Sequence, residues 1–316
     1  MPLDVFSPVY GTPLKPIQPV ASGNTRTQYA GMYVQDRVEL NPRLFVTAGG
    51  RLDFASNRDL SKRNANGETA FSPRLGASYR VLQTVSVFSG YSRSFRPQNG
   101  LIYDGSANGA FAAAETGDQW EVGVKTSFLS NRMINSLSVY RLTRGDVLTP
   151  DPGHPAFSLL TGRQRSSGAE VETTFLLHGT WNLTFAYAFT NAHVVADTVI
   201  RAGTPTQNAP MHGVNVWTTY ELQRGWIKGV GFGVGARHYS EQSGDPRNTF
   251  SIPGYGLLDA AIFYRRGPLE WQLHVRNLTD TRYFAGSYND VYVLPGSPRS
   301  VHTTLTWRVG AADRRR

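Results

Sequence analysis

The sequence has 316 residues, of which 17% are charged and 12% aromatic, with 32 glycines and no cysteine. That excludes disulfides and thiolate metal sites, disfavours coiled coils and helical bundles, and carries too many aromatics for a disordered chain. Lys+Arg number 32 against 23 for Asp+Glu, a formal charge of +9 carried mostly by arginine and spread along the whole chain rather than gathered in one patch.

In chain order, residues 1–25 hold five prolines (Pro2, Pro8, Pro13, Pro16, Pro19) and no periodicity, and are expected to form an irregular arm. From residue 26 onward a period of two dominates. Leu44, Val46, Ala48, Leu52 and Phe54 alternate with Phe45, Thr47, Arg51 and Asp53. Leu183, Phe185, Tyr187 and Phe189 alternate with Asn182, Thr184 and Thr190. Val230, Phe232 and Val234 alternate with Gly231, Gly233 and Gly235, and Trp271, Leu273 and Val275 with Gln272, His274 and Arg276. A 3.6-residue period fits none of these windows. The predicted strands are 26–39, 44–55, 71–81, 84–94, 117–128, 132–142, 159–177, 181–191, 211–222, 227–240, 254–265, 268–278 and 299–309, forming a β-barrel segment over 26–309. Residues 310–316, rich in arginine, are expected to be a disordered tail.

Most of these strands run about 10 to 14 residues, whereas soluble strands average about 5 to 6 and tilted membrane strands need about 9 to 11. The connections alternate. Short ones fall near 41–43, 82–83, 130–131, 179–180, 223–225 and 266–267. Long ones span about 56–70, 95–116, 143–158, 192–210, 241–253 and 279–298. Membrane barrels have short turns at one rim and long loops at the other. The fold class is therefore all-β: an antiparallel transmembrane β-barrel wall of about 13 long strands. No apolar run long enough for a membrane helix is present, and the start carries no signal-peptide pattern. Bacterial single-chain barrels have even strand numbers, so an odd count suggests part of a larger barrel.

Several segments resemble the TonB-dependent siderophore receptors, in particular the ferrichrome-receptor-like branch. They are Gln28–Asp36 (QYAGMYVQD), Phe45–Asp53 (FVTAGGRLD), Ser89–Pro97 (SGYSRSFRP), Glu115–Lys125 (ETGDQWEVGVK), Leu148–Pro152 (LTPDP), Thr161–Glu172 (TGRQRSSGAEVE), and Asn277–Phe284 (NLTDTRYF) with Gly296–Arg299 (GSPR). They stand in the family's order. The resemblance implies a 22-stranded barrel closed by an N-terminal plug, of which this chain is strands 10 to 22. The plug, the TonB-contacting segment and nine strands are then outside this sequence, and the chain is a fragment unable to perform energised uptake alone. The family commonly ends on an aromatic; here Trp307 is followed by a polar, Arg-rich extension. The resemblance also implies binding rather than catalysis and no cofactor, since the iron is carried within the siderophore. The expected partners are a ferric siderophore, outer-membrane lipid and, for the full-length parent, the TonB complex. The location is the bacterial outer membrane.

Aromatics serve two roles in this reading. Trp181, Tyr187, Phe189, Tyr220, Trp271 and Trp307 fall near strand ends and suit interfacial girdles. Phe95, Tyr103, Phe111, Tyr239, Tyr283, Phe284, Tyr288 and Tyr292 lie where long loops begin or within them. With Arg93 and Arg96 they are the candidate ligand contacts. Arg51, Arg74, Arg80, Arg141, Arg237 and Arg276 are expected in the lumen or near strand ends, with Glu170 and Glu172 as acid partners.

Other chemistry finds little support. Gly229–Gly235 (GVGFGVG) alternates strictly, unlike a dinucleotide loop, and reads as a strand face left bare for a close approach. The seven histidines have no close ligand spacing, no G-x-S-x-G is present, and the dispersed charge does not suit nucleic acid. Asn182-Leu-Thr and Asn277-Leu-Thr match a glycosylation sequon by accident in this reading. The alternatives left open are a passive porin-like channel and an outer-membrane hydrolase.

Overall fold

The computed structural model describes residues 24–60, 65–151, 153–154, 156–177, 180–288 and 292–309. The expected arm, except for its last two residues, and the expected tail lie outside the described residues. In chain order the strands are β1 Thr25–Asn41, β2 Leu44–Asp59, β3 Ala65–Leu82, β4 Val85–Arg96, β5 Leu101–Ile102, β6 Ala110–Phe111, β7 Glu115–Phe128, β8 Met133–Pro150, β9 Ser158–Leu177 and β10 Trp181–Ala196. They continue as β11 His212–Glu221, β12 Val230–Tyr239, β13 Gln242–Ser243, β14 Ser251–Ile252, β15 Tyr255–Arg266, β16 Leu269–Arg276, β17 Phe284–Ser287, β18 Val293–Pro295 and β19 Ser300–Trp307.

Thirteen of them form one antiparallel meander, β1-β2-β3-β4-β7-β8-β9-β10-β11-β12-β15-β16-β19. Every neighbour in the sheet is the next long strand in sequence, and the sheet leaves β1 and β19 as two edges rather than closing on itself. The remaining short strands belong to loops beyond one rim.

The register sorts the side chains into two faces, because residues directly opposite each other point the same way. One row runs Val87, Val124, Leu137, Val171, Tyr187, Val214 across six strands. Another runs Phe232, Ile262, Leu273. These rows make an outward apolar band with no protein packed over it: Val122, Leu137, Val234 and Leu305 are all exposed. An uncovered apolar surface of this extent is stable against lipid and not against water. Asp36 interrupts the band on β1, where its carboxylate accepts the Arg37 N–H. Trp181, Tyr187, Phe189, Tyr220, Trp271 and Trp307 all share the outward parity. Two indoles are satisfied there by threonines of the adjacent strand, Trp181 Nε1 donating to Thr218 Oγ1 (2.7 Å) and Trp271 Nε1 to Thr303 Oγ1 (3.0 Å).

The opposite face is polar and holds the strand ion pairs: Arg51–Asp53, Arg237–Asp259, Arg265 with Glu221 and Glu270, and Arg96 and Arg144 with Glu115. Arg74, Arg80 and Arg276 share it. Arg141 does not, correcting the sequence-based expectation. It is register partner to Trp120 on the outward side. The apolar residues of β8 (Ile134, Leu137, Val139, Leu142) fall on both parities, so alternation alone could not orient that strand. Glu170 and Glu172 face the lumen, but among the described residues they enter no ion pair; Asp53, Glu115, Glu221, Asp259 and Glu270 take the arginines instead.

The bare glycine lane is filled by rings. A Cβ at Gly233 would stand 2.7 Å from the Trp217 indole, and at Gly235 and Gly231 it would overlap Trp217 and Phe263 outright. The close approach is therefore made by the neighbouring strands' own aromatics, laid flat on the inner wall. His274 and His302, far apart in sequence, are register partners on this face. Among the described residues no group of three potential metal-binding side chains forms.

The strands run further than alternation indicates at the long-loop rim. β3 begins at Ala65 rather than 71, β8 continues to Pro150 rather than 142, and β10 to Ala196 rather than 191. Beyond the bilayer both faces meet water or loops, so the sequence loses its two-residue period while backbone pairing continues. As a result the connection between β2 and β3 shrinks to 60–64, shorter than the 222–229 turn at the other rim. The asymmetry between rims is carried by strand extension as much as by loop length.

Candidate functional site

The long-loop rim is built by several devices. On the β1–β4 side, the connection after β4 folds inward over the lumen face of β2 and β3. Asn57 Nδ2 donates to the Gln98 carbonyl (2.9 Å), the Gln98 amide donates to the Ala113 and Asp146 carbonyls, and the Ala114 N–H reaches Glu68 Oε1 (3.0 Å). That cover buries Asp53, Asn57 and Asp59, at 2–5% exposure, beneath it.

Beside it sits an arginine pair on one carboxylate. Glu115 Oε2 accepts from Arg96 (2.7 Å), and its two oxygens accept from Arg144 in a forked pair (2.6 and 3.0 Å). Arg144 also donates to Gln164 Oε1 (3.0 Å). Two cations share one anion, so the cluster carries a net positive charge, and the Arg96 side chain is 69% exposed toward the lumen mouth.

On the far side three tyrosines line the mouth in sequence. Tyr239 closes β12 and Tyr255 opens β15; they are register partners with ring centroids 5.4 Å apart. Tyr283, in the following loop, lies 4.3 Å from Tyr255. Below them Arg237 and Asp259 pair at 2.8 Å. Asp259 also accepts the Asn277 N–H (2.8 Å), fixing where the last loop departs.

Asn277 itself is the base of that loop. It is 3% exposed, with φ at +49°. Its amide donates to the Thr281 and Ser297 carbonyls (2.9 and 3.2 Å), and its oxygen accepts the Thr281 N–H (2.9 Å). The sequon match is thus a buried structural asparagine. The three loops on this side are clamped together by Gln207 and Asn208. Gln207 Nε2 reaches the Gly244 carbonyl (3.1 Å) and Ser287, and Asn208 Nδ2 reaches the Ser287 carbonyl (2.7 Å). The Ser287 hydroxyl donates to the Gly244 carbonyl.

The middle loop of the three is organised by Asp245. Burial pushes its carboxyl up, but N–H groups of Thr249, Arg247 and Phe250 converge on it and outweigh that, so its pKa falls below the ordinary carboxylate value. A depressed pKa contributes stability that is present above the unfolded value and lost only as pH falls through the folded one. Loop 240–254 is therefore expected to stay ordered at pH 5. Asp245→Asn, which removes the charge, is expected to speed tryptic cleavage after Arg247 several-fold; unchanged cleavage would rule out this role.

The candidate ligand residues divide by position. Tyr239 and Tyr283 join through Tyr255. Arg96 points into the lumen, whereas the parity of β4 turns Arg93 and Phe95 outward, on the face of Val87 and Tyr91. Tyr103 stacks on His154 (3.6 Å, 16°), whose Nδ1 lies 3.1 Å from Asp151, so it ties two loops together. Phe111 is buried in the β5–β6 hairpin opposite Leu101. Phe284, Tyr288 and Tyr292 stand exposed on the β17–β18 hairpin. Tyr255, Arg144 and Glu115 were not among the candidates. Tyr255 could have been found from the pairing of β12 with β15, which puts it opposite Tyr239. The Arg144–Glu115 pair has no signal in spacing.

The sequence matches the family described as TonB dependent receptor-like, beta-barrel, over residues 1–278. It is 30% identical over 319 residues to the metal-pseudopaline receptor CntO of Pseudomonas aeruginosa, covering 96% of this chain and 44% of that protein. It is 31% identical over 292 residues to the ferrichrome outer membrane transporter/phage receptor of Escherichia coli K12, covering 90% and 38%. The fold superposes on the ferripyoverdine receptor of the outer membrane of Pseudomonas aeruginosa with a TM-score of 0.75 at 22% identity, covering 96% and 41%. It superposes on BauA, the ferric preacinetobactin receptor of Acinetobacter baumannii, with a TM-score of 0.76 at 17% identity, covering 90% and 43%. The chain spans less than half the length of these curated relatives, which are receptors and transporters. With an outward apolar band, a polar inner wall and this match, the chain belongs to the TonB-dependent receptor β-barrel family of the bacterial outer membrane.

Proposed function

We propose that this chain supplies wall and outer mouth to a receptor for ferric siderophores, which binds its cargo without chemistry and holds no cofactor of its own. The iron travels inside the ligand, and transport is energised through TonB. The observation that carries the reading is the lumen-side tyrosine run Tyr239–Tyr255–Tyr283. It offers flat apolar faces and three hydroxyls at the mouth of a family wall. Across the sheet, the net positive Arg96–Glu115–Arg144 cluster attracts an anionic complex over longer range.

The test is quenching of intrinsic fluorescence in the native protein purified from outer membranes, titrated with ferric ferrichrome, ferrioxamine B and a ferric catecholate in turn. Saturable binding of one of them is expected. Truncating Tyr255 to alanine is expected to weaken it about 10-fold, in the range of a lost aromatic anchor. No saturable binding to any ferric complex, or unchanged affinity in Tyr255→Ala, speaks against the reading.

A further inference from the structure

The strand ion pairs all lie on the lumen face, yet the outward face carries a cluster of arginines that no carboxylate pairs among the described residues. We propose that Arg93, Arg141 and Arg165 form a binding site for the phosphate groups of an outer-leaflet lipid, on the outward wall of β4, β7, β8 and β9.

The register places them together. Arg93, Asp118, Thr143 and Arg165 form one row across four strands, and Tyr91, Trp120, Arg141 and Ser167 form the row beneath it. Strand spacing then puts Arg141 roughly 8 Å from Arg165 and roughly 12 Å from Arg93, counted between Cα atoms. The next row down, Ser89, Val122, Val139 and Ala169, opens the apolar band. The arginines therefore begin where the hydrocarbon face ends.

Depth agrees with this. Arg93 and Arg141 each stand eight residues from the short-turn end of their strands (Val85 and Met133), and Arg165 stands twelve from Leu177. At strand rise and typical barrel tilt these are heights of roughly 20 and 30 Å, against an apolar band about 25 Å tall. Long arginine side chains reach upward from such positions to the headgroup level.

Charge and surroundings favour an anion. Among the described residues no carboxylate forms an ion pair with any of the three arginines. The Arg165 Nε is shielded and has no hydrogen-bond partner. Two acids stand at the patch: Asp118 accepts the Tyr91 hydroxyl at 2.7 Å, and Asp146, beyond it, accepts the Thr116 hydroxyl at 3.0 Å. Three guanidinium groups thus face two carboxylates, each of which already holds a hydroxyl. Beside them Trp120, 60% exposed, packs on Tyr91 with centroids 4.6 Å apart, giving the amphipathic aromatic pair typical of a lipid–water boundary. Guanidinium forks suit phosphate oxygens, and a triangle of this width accepts more than one phosphate on a single headgroup. The outward position separates this site from the lumen and from any cargo.

The native protein, delipidated in detergent, is incubated with lipid A bearing two phosphates or with the same lipid after phosphatase treatment. Retained lipid is then counted by native mass spectrometry. Retention of the bisphosphorylated form is expected to fall at least about 10-fold in R93Q/R141Q/R165Q and to stay unchanged in R26Q/R58Q, an outward basic pair outside the patch. Should the triple variant not fold, the single R141Q is expected to lower retention several-fold in protein that still shows heat-modifiable migration. Wild-type retention in the folded variants, or equal retention of the phosphate-free lipid, overturns the proposal.

Discussion

Replacing Gly235 with valine is expected to destabilise the barrel wall by at least about 3 kcal/mol, beyond the usual overpacking cost of about 1–3 kcal/mol. A Cβ there overlaps the Trp217 indole, and Trp217 also lies against Gly233, so it cannot slide along the lane to make room. Displacing the indole would expose a large apolar face to the polar lumen. The measurement is the temperature at which the purified protein loses its heat-resistant, compact migration on gels. A fall of many degrees is expected for Gly235→Val and a smaller one for Gly235→Ala. Equal behaviour of wild type and valine variant would show that the ring does not occupy the lane. Gly67, which has open space around its Cβ position, serves as the control, with Gly67→Ala expected to be near neutral.

Asn277→Ala is the second large effect. The side chain makes three hydrogen bonds in a buried position, to both ends of the 277–299 connection. Its loss leaves the Thr281 N–H and two carbonyls unpaired, at about 1–3 kcal/mol for each group that water does not reach. The positive φ adds a penalty that asparagine tolerates better than alanine. The loop is expected to detach while the wall survives, because the β16–β19 ladder does not pass through Asn277. Hydrogen exchange of the β17–β18 hairpin is therefore expected to accelerate by a factor of about 10 or more, with little change in β16 and β19. Asn277→Asp is expected to fall between the two, since it keeps the acceptor but loses both donors and brings a charge near Asp259. Uniform exchange in all three proteins would remove Asn277 from this role. Because Tyr283 sits on that loop, weakened ligand binding is expected to follow from the same substitution.

The two effects act on different parts of the chain. The glycine lane belongs to the bilayer-level wall, where aromatic rings tile the lumen side. Asn277 belongs to the outer mouth, where side-chain amides do the work that backbone ladders do below. Gln207, Asn208 and Asn277 all hold carbonyls of chain segments outside the main sheet. This is the expected economy of a long loop: buried backbone groups must find partners, and short amides reach them without a second strand.

The sequence by itself determined the wall. Strict alternation over Leu183–Phe189 or Val230–Val234 can satisfy only a sheet with lipid on one side and water on the other, so strand number, order and face were legible locally. It could not orient Arg141, because β8 carries apolar residues on both parities, nor see that the strands outrun their period where both faces are wet. The mouth was decided by tertiary structure alone. Tyr255 meets Tyr239 and Tyr283, and Glu115 gathers Arg96 and Arg144, only once register fixes which distant positions are opposite. A two-residue period records which side of the wall a residue faces; cross-strand register, which one strand's residues do not encode, decides what it faces there.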